Sequence, residues 1–158
     1  MEIRPLPPAW RLILGFILGP AVAALIFATA SPLYAGLTSF LDRVLGTFVA
    51  ACWVVYPITA VLGLPLYLAL RNRAKPSVFN LALAGAAVSM APWLLLLLVT
   101  PDEASTGNVV TVHNHIRTIA GWLEILPFMG EIALLGATAG LVFWCCVTLG
   151  RQSTPRTA

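Results

Sequence analysis

Few side chains in this sequence could do chemistry, and Glu131 is the most prominent of them. It is an acid that stands early in a long apolar run. An ionisable residue inside a membrane span is costly and is by default a hypothesis of function. Glu131 could bind a proton or a cation, with Arg117 or Arg43 as its partner. The alternative is that the helix starts close to Glu131, which then lies in the wet interface where the helix dipole favours an acid.

His113 and His115 form a His-x-His pair that could hold zinc or copper, with Glu124 or Asp102 nearby. On a helix the two imidazoles point roughly 200° apart, so both can bind one metal only where the segment is extended. The alternative is that both are solvated residues of a polar face. Neither lies inside an apolar span, which argues against a membrane haem with axial histidines. We therefore predict no metal and no cofactor.

The other reactive groups do not form a known catalytic pattern. Cys52, Cys145 and Cys146 are odd in number and lack metal spacing, so no disulfide framework is expected. Cys52 is predicted in the outer half of one span and the other two near the inner end of another. The sequence has no glycine-rich phosphate loop, no Gly-x-Ser-x-Gly elbow and no His-Glu-x-x-His motif. We therefore expect a protein that is not an enzyme.

The composition places the chain in the membrane class. Hydrophobic residues make up 59% of it and charged residues 9%, outside the range of soluble globular domains. The 158 residues leave room for about four helical spans of roughly 20 residues. We predict an all-α integral membrane protein, a four-transmembrane-helix bundle over residues 12–150, between a cytoplasmic segment 1–11 and a cytoplasmic tail 151–158. The spans are expected at about 12–30, 44–70, 78–100 and 128–150.

The connection between the third and fourth spans is predicted to contain an amphipathic helix. Apolar residues recur every three or four positions from Val109 to Leu126, while His113, Arg117 and Glu124 fall elsewhere. This pattern is typical of a helix that lies in the membrane interface.

Small residues mark the predicted contacts between helices. At a four-residue interval two glycines share one helix face, which lets a second backbone approach closely. Packing within the bundle and contact with another subunit both remain open. The glycines predicted to form these helix contacts are Gly15, Gly19, Gly46, Gly85, Gly136 and Gly140.

Arg71, Arg73 and Lys75 set the predicted orientation. Seven of the nine cations lie in the N-terminal segment, this turn and the C-terminal tail, whereas the other two connections and the start of the fourth span hold five of the six acids. Lys and Arg favour the cytoplasmic side of a membrane. Both termini are therefore expected in the cytoplasm, with the protein in a bacterial-type inner (plasma) membrane. The basic residues form no continuous face, which argues against a nucleic-acid partner.

Three functions remain open. The leading hypothesis is an accessory subunit, assembly factor or regulator of a membrane complex. It would act by helix packing in the lipid bilayer, against another membrane protein or a second copy of itself. The alternative is a small oligomeric transporter or channel that uses Glu131. The third is an outer-face metal-binding protein that uses His113 and His115.

Overall fold

The computed structural model describes residues 8–31, 39–73, 77–99, 101, 103–106 and 109–148. Of Arg71 and Arg73 only the backbone is described. Lys75, Asp102 and the tail 151–158 lie outside the described residues.

Four helices are long and apolar enough to cross a membrane. The first is α1 (Ala9–Ala30), and the second crossing consists of α2 (Phe40–Ile58), a π-helical turn (Thr59–Gly63) and α3 (Leu64–Arg73). The third and fourth are α4 (Val78–Leu98) and α5 (Ile119–Thr148). Large apolar side chains such as Trp53 and Leu134 are more than two-thirds exposed, at 78% and 71%. These features confirm a multi-pass membrane protein built on a helical bundle.

The second crossing is irregular in its middle. Pro57 and Pro65 cannot donate a backbone hydrogen bond, and between them the chain widens into the π-helical turn. The Thr59 hydroxyl donates to the Val55 carbonyl at 2.8 Å within this stretch. Prolines and π turns are the usual causes of helix bends.

The connection after α4 is a small antiparallel sheet instead of the predicted interfacial helix. It comprises β1 (Glu103–Thr106), β2 (Val109–His113) and β3 (Ile116–Arg117), in the order β1-β2-β3. The prediction of an amphipathic helix over 109–126 is therefore wrong for its first half. The second half is helical, but it is the beginning of α5.

Local residue types explain the sheet. Residues 109–112 are Val-Val-Thr-Val, and β-branched side chains favour strands. Asn114 and His115 have φ values of 50° and 60°. A two-residue turn with both φ angles positive fits the twist of a hairpin, and Asn adopts this region more readily than most residues. The apolar spacing that suggested one helix comes from a strand followed by a separate helix.

Thr118 attaches the sheet to α5. Its hydroxyl accepts a hydrogen bond from the Gly121 amide at 3.1 Å, as an N-cap residue does, and it donates to the Val110 carbonyl at 2.8 Å. Gly121 lies so close to the Thr111 backbone that a Cβ would collide with the Thr111 carbonyl oxygen. With this cap, α5 starts at Ile119 and runs on through Pro127.

Helix α5 is the centre of the bundle, because it packs against both α4 and α1. On the α4 side, Gly85 and Gly136 approach backbone to backbone, and Gly140 lies against the Leu81 carbonyl. A side chain on any of these three glycines would collide with the neighbouring helix. The close approach is what small residues permit in membrane helices.

On the α1 side, Gly15 lies against the ring of Phe143 and Gly19 against the carbonyl oxygen of Ala139. The glycine faces of α1, α4 and α5 therefore pack within this chain. Gly46 is half-buried on α2.

Aromatic side chains join the second crossing to α1 and α5. The rings of Phe16, Tyr67 and Phe143 meet edge to face, with centroid separations from 4.9 to 6.5 Å. The Tyr56 hydroxyl donates to the Ile17 carbonyl of α1 at 2.8 Å.

Replacing Gly136 by Ala should destabilise the bundle. The new Cβ would collide with Ser89 Oγ and the Gly85 carbonyl oxygen, and overpacking of this kind costs about 1 to 3 kcal/mol. Gly130→Ala is the matched control, because nothing lies within 4 Å of a Cβ on Gly130. Thermal unfolding in detergent should show a lower midpoint for Gly136→Ala and an unchanged or higher one for Gly130→Ala. Equal midpoints for both variants would contradict the α4/α5 packing.

Replacing Thr118 by Ala should loosen the sheet. The change removes the N-cap hydrogen bond and the bond to Val110, with an expected cost of about 1 kcal/mol. Thr138→Ala is the control, since the Thr138 hydroxyl bonds only within its own helix, to the Leu134 carbonyl. Hydrogen exchange of the β2 amides should be faster in Thr118→Ala alone. Unchanged exchange would show that Thr118 does not hold the sheet.

Candidate functional site

Glu131 lies well past the first turn of α5. Because α5 begins at Ile119, Glu131 is about 18 Å along the helix at about 1.5 Å per residue. The dipole of a helix acts mainly on its first and last turns. The alternative that a helix N-terminus stabilises this acid therefore does not apply.

Two contacts with α4 define the level of Glu131 in the bundle. The next residue, Ile132, accepts a hydrogen bond through its carbonyl from the Ser89 hydroxyl at 2.9 Å. One turn earlier, the rings of Phe128 and Trp93 meet edge to face at 4.9 Å. Glu131 is thus level with the middle of the 21-residue α4, roughly 12 Å from its Leu98 end.

The Glu131 side chain is exposed and has no partner in the structure as described. Within the described ranges it forms neither an ion pair nor a hydrogen bond. Arg43 and Arg117, the cations predicted to be available to it, do not pair with it.

Glu131 faces away from the helices on which α5 packs. Met129, Gly136 and Gly140 are buried on the packed side, and Glu131 follows Met129 by roughly 200° around the helix. Its neighbours on the open side are exposed or half-buried. We call this set the Glu131 face: Glu124, Pro127, Glu131, Leu134 and Thr138.

A cavity of about 530 Å³ lies between the helices. All four crossings contribute to its wall. Ile132 lines it, but Glu131 does not. The acid and the cavity are therefore separate features, and a pathway through the cavity of a single chain would not pass Glu131.

The threonine and serine hydroxyls of the cavity wall already donate to backbone carbonyls. Thr47 donates to the Arg43 carbonyl and Thr59 to the Val55 carbonyl, each at 2.8 Å. Ser89 shares its hydrogen between the Ala86 and Ile132 carbonyls. The remainder of the wall is mainly aliphatic and aromatic.

The two histidines lie at the tip of the hairpin. His113 stands opposite Glu103 in the β1/β2 register, with Nδ1 3.7 Å from Oε1, and both side chains are largely exposed. His115 occupies the turn itself. Among the described residues no group of three or more His, Cys, Asp or Glu side chains is placed to hold a metal ion. For the hypothesis of an outer-face metal site, the structure brings together one carboxylate, that of Glu103, and one imidazole, that of His113.

The three cysteines are free thiols. Cys52 lies in α2, whereas Cys145 and Cys146 lie in the last turns of α5. Arg71 and Arg73 end α3, and so they are at the same end of the bundle as the start of α1.

Ser89 and Thr118 make structural contacts to which the sequence analysis assigned no role. Thr118 could have been found from its type and place, because a Thr directly before an apolar helical run is an N-cap signal. Ser89 stands in a run of small residues, where a hydroxyl commonly bonds across two membrane helices. The sequence pattern does not identify the carbonyl to which the Ser89 hydroxyl donates.

Comparison of the chain with protein-family models, with curated proteins and with solved structures gives no match.

Proposed function

We propose that this chain is a membrane interaction protein: an accessory subunit, assembly factor or regulator that binds a transmembrane helix of another protein through the Glu131 face. One observation carries the proposal. Glu131 is exposed and unpartnered within the described residues, at the level of the middle of α4.

An acidic side chain facing lipid at this depth is unfavourable. An acidic residue at the centre of a membrane helix costs about 2.5 to 3.5 kcal/mol on insertion scales. Glu131 lies roughly 12 Å from the level of the helix end, too far for its short side chain to reach the headgroups. A neighbouring helix with a hydrogen-bond donor or a cation would offset this cost.

The surface near Glu131 leaves room for a second helix. A Cβ on Gly130 would meet nothing within 4 Å, so that a partner backbone can approach α5 closely at this position. Leu134, one turn further along, is 71% exposed and offers an apolar contact.

A different protein fits this face better than a second copy of the chain. A two-fold symmetrical contact would place the same patch on both sides of the interface, and two Glu131 carboxylates would then lie together. Among the described residues, Arg11 and Arg43 stand in the first turns of their helices. Arg117 lies in strand β3, and Arg71 and Arg73 lie in the last turn of α3. The described part of the chain thus offers no cation at the depth of Glu131.

We place both termini in the cytoplasm and the sheet outside, in a bacterial-type inner membrane. The Lys and Arg bias of the connections supports this orientation.

Cysteine labelling tests the orientation. In a variant lacking Cys52, Cys145 and Cys146, Ser105→Cys places a thiol on the exposed strand β1, and Ser77→Cys places one just before α4. A small membrane-impermeant maleimide added to intact cells should label Ser105→Cys alone. Both thiols should react after the membrane is opened. Labelling of Ser77→Cys alone in intact cells would invert the assigned orientation.

Replacing Glu131 should weaken the complex with the partner. A photo-reactive residue in place of Leu134 should cross-link the partner helix, and the cross-linked segment should carry a basic, amide or hydroxyl side chain. Glu131→Leu should lower the cross-linking yield by roughly 5- to 30-fold, the effect of about 1 to 2 kcal/mol for one interhelical polar contact. Glu131→Gln should retain part of the yield, because an amide can still form a hydrogen bond.

Glu103→Gln is the control, since Glu103 is an exposed acid on strand β1, away from the Glu131 face. It should leave the yield unchanged. Exchange of charges between Glu131 and the cross-linked basic residue should restore the complex. A partner that binds Glu131→Leu as well as the original protein would rule out this face, and cross-links to a second copy of the chain would assign the face to a homo-oligomer.

A further inference from the structure

We propose that the cavity between the helices holds one acyl chain of a bilayer phospholipid. The cavity measures about 530 Å³, within the range of ligand pockets in proteins. An empty apolar cavity destabilises a fold in proportion to its volume. An occupant would remove that penalty.

The wall fits hydrocarbon and does not fit water. Its hydroxyls on Thr47, Thr59 and Ser89 already donate to backbone carbonyls. Tyr67, the fourth hydroxyl-bearing residue of the wall, packs its ring edge to face against Phe16 and Phe143. A buried water needs about two to four polar partners, and apolar cavities without them remain dry. A polar ligand would likewise find few groups to bind. The occupant is therefore an apolar chain.

The length of the cavity matches one chain. It extends along α4 from Leu81 to Trp93, about 18 Å at the rise of a helix. The chains of one leaflet occupy about 15 Å, half of the hydrocarbon core. Aromatic residues lie at both ends, with Phe16 and Phe143 near Leu81, and Phe128 against Trp93.

The second crossing leaves an entry from the bilayer. Helix α2 packs mainly against α1 and touches α4 only slightly. The π-helical turn between Pro57 and Pro65 places Thr59 and Gly63 on the cavity wall. A lipid chain can enter at this side without crossing a polar layer. A further helix, about 10 to 12 Å wide with its side chains, would have to displace α2.

Filling the cavity tests the proposal. Ala84 lines the cavity, whereas Ala87 on the same helix is exposed. We expect native mass spectrometry of the purified protein to show one bound phospholipid. Ala84→Leu should lower the bound fraction at least about tenfold, because the added carbons take the space of the chain, and Ala87→Leu should not change it. Thermal unfolding of both variants checks that each is folded.

Ala51→Leu fills the same cavity from α2 and replaces Ala84→Leu if that variant does not fold. Independently, a phospholipid with a diazirine in its acyl chain should label Val55 and Val88, which line the cavity and are half-buried, in the original protein. This labelling should fall in either filled variant. Labelling confined to outward residues such as Leu83, a bound isoprenoid in place of a phospholipid, or no bound lipid would each overturn the proposal.

Discussion

The close approach of α4 and α5 is the contact on which the rest of this structure depends. Inside a bilayer the lipid tails are as apolar as the side chains, so helices associate through close packing and hydrogen bonds. Gly85, Gly136 and Gly140 bring the two backbones together, and Ser89 adds a hydrogen bond across the same interface. Once α4 and α5 are joined, Gly15 and Gly19 place α1 on the adjacent side of α5.

This arrangement leaves the second crossing at the edge of the bundle and accounts for the cavity. Its contacts with the other helices include the hydrogen bond of Tyr56 to the α1 backbone and the ring contacts of Tyr67 with Phe16 and Phe143. Pro57, Pro65 and the π-helical turn interrupt the regular α-helical hydrogen bonding of this crossing, and it touches α4 only slightly. An apolar space between tightly packed and loosely packed helices is the result.

Helix α5 also links the membrane part to the sheet and presents Glu131. Thr118 and Gly121 hold strand β2 at the beginning of α5. Helices α1 and α4 cover the packed side of α5. The remaining side has no cover within the described residues, and it carries the one acid that stands far from a helix end. The two proposals use different sides of this helix. The partner would bind the outer side, and the lipid chain would lie against the inner side.

The sequence alone determined the four apolar helices, because a membrane crossing needs about 20 consecutive apolar residues and such runs are visible without a structure. It also identified the small residues that let helices approach. It did not determine the sheet. The three- and four-residue spacing from Val109 to Leu126 indicated one helix, although the same segment contains a β-branched run and a turn at Asn114 and His115. The fourth span was expected from about residue 128, but Thr118 caps α5 directly before Ile119 and the helix passes through Pro127. The environment of Glu131 was decided by tertiary structure alone, since only the contacts of Gly136 and Gly140 determine which side of α5 is covered and leave the acid on the other.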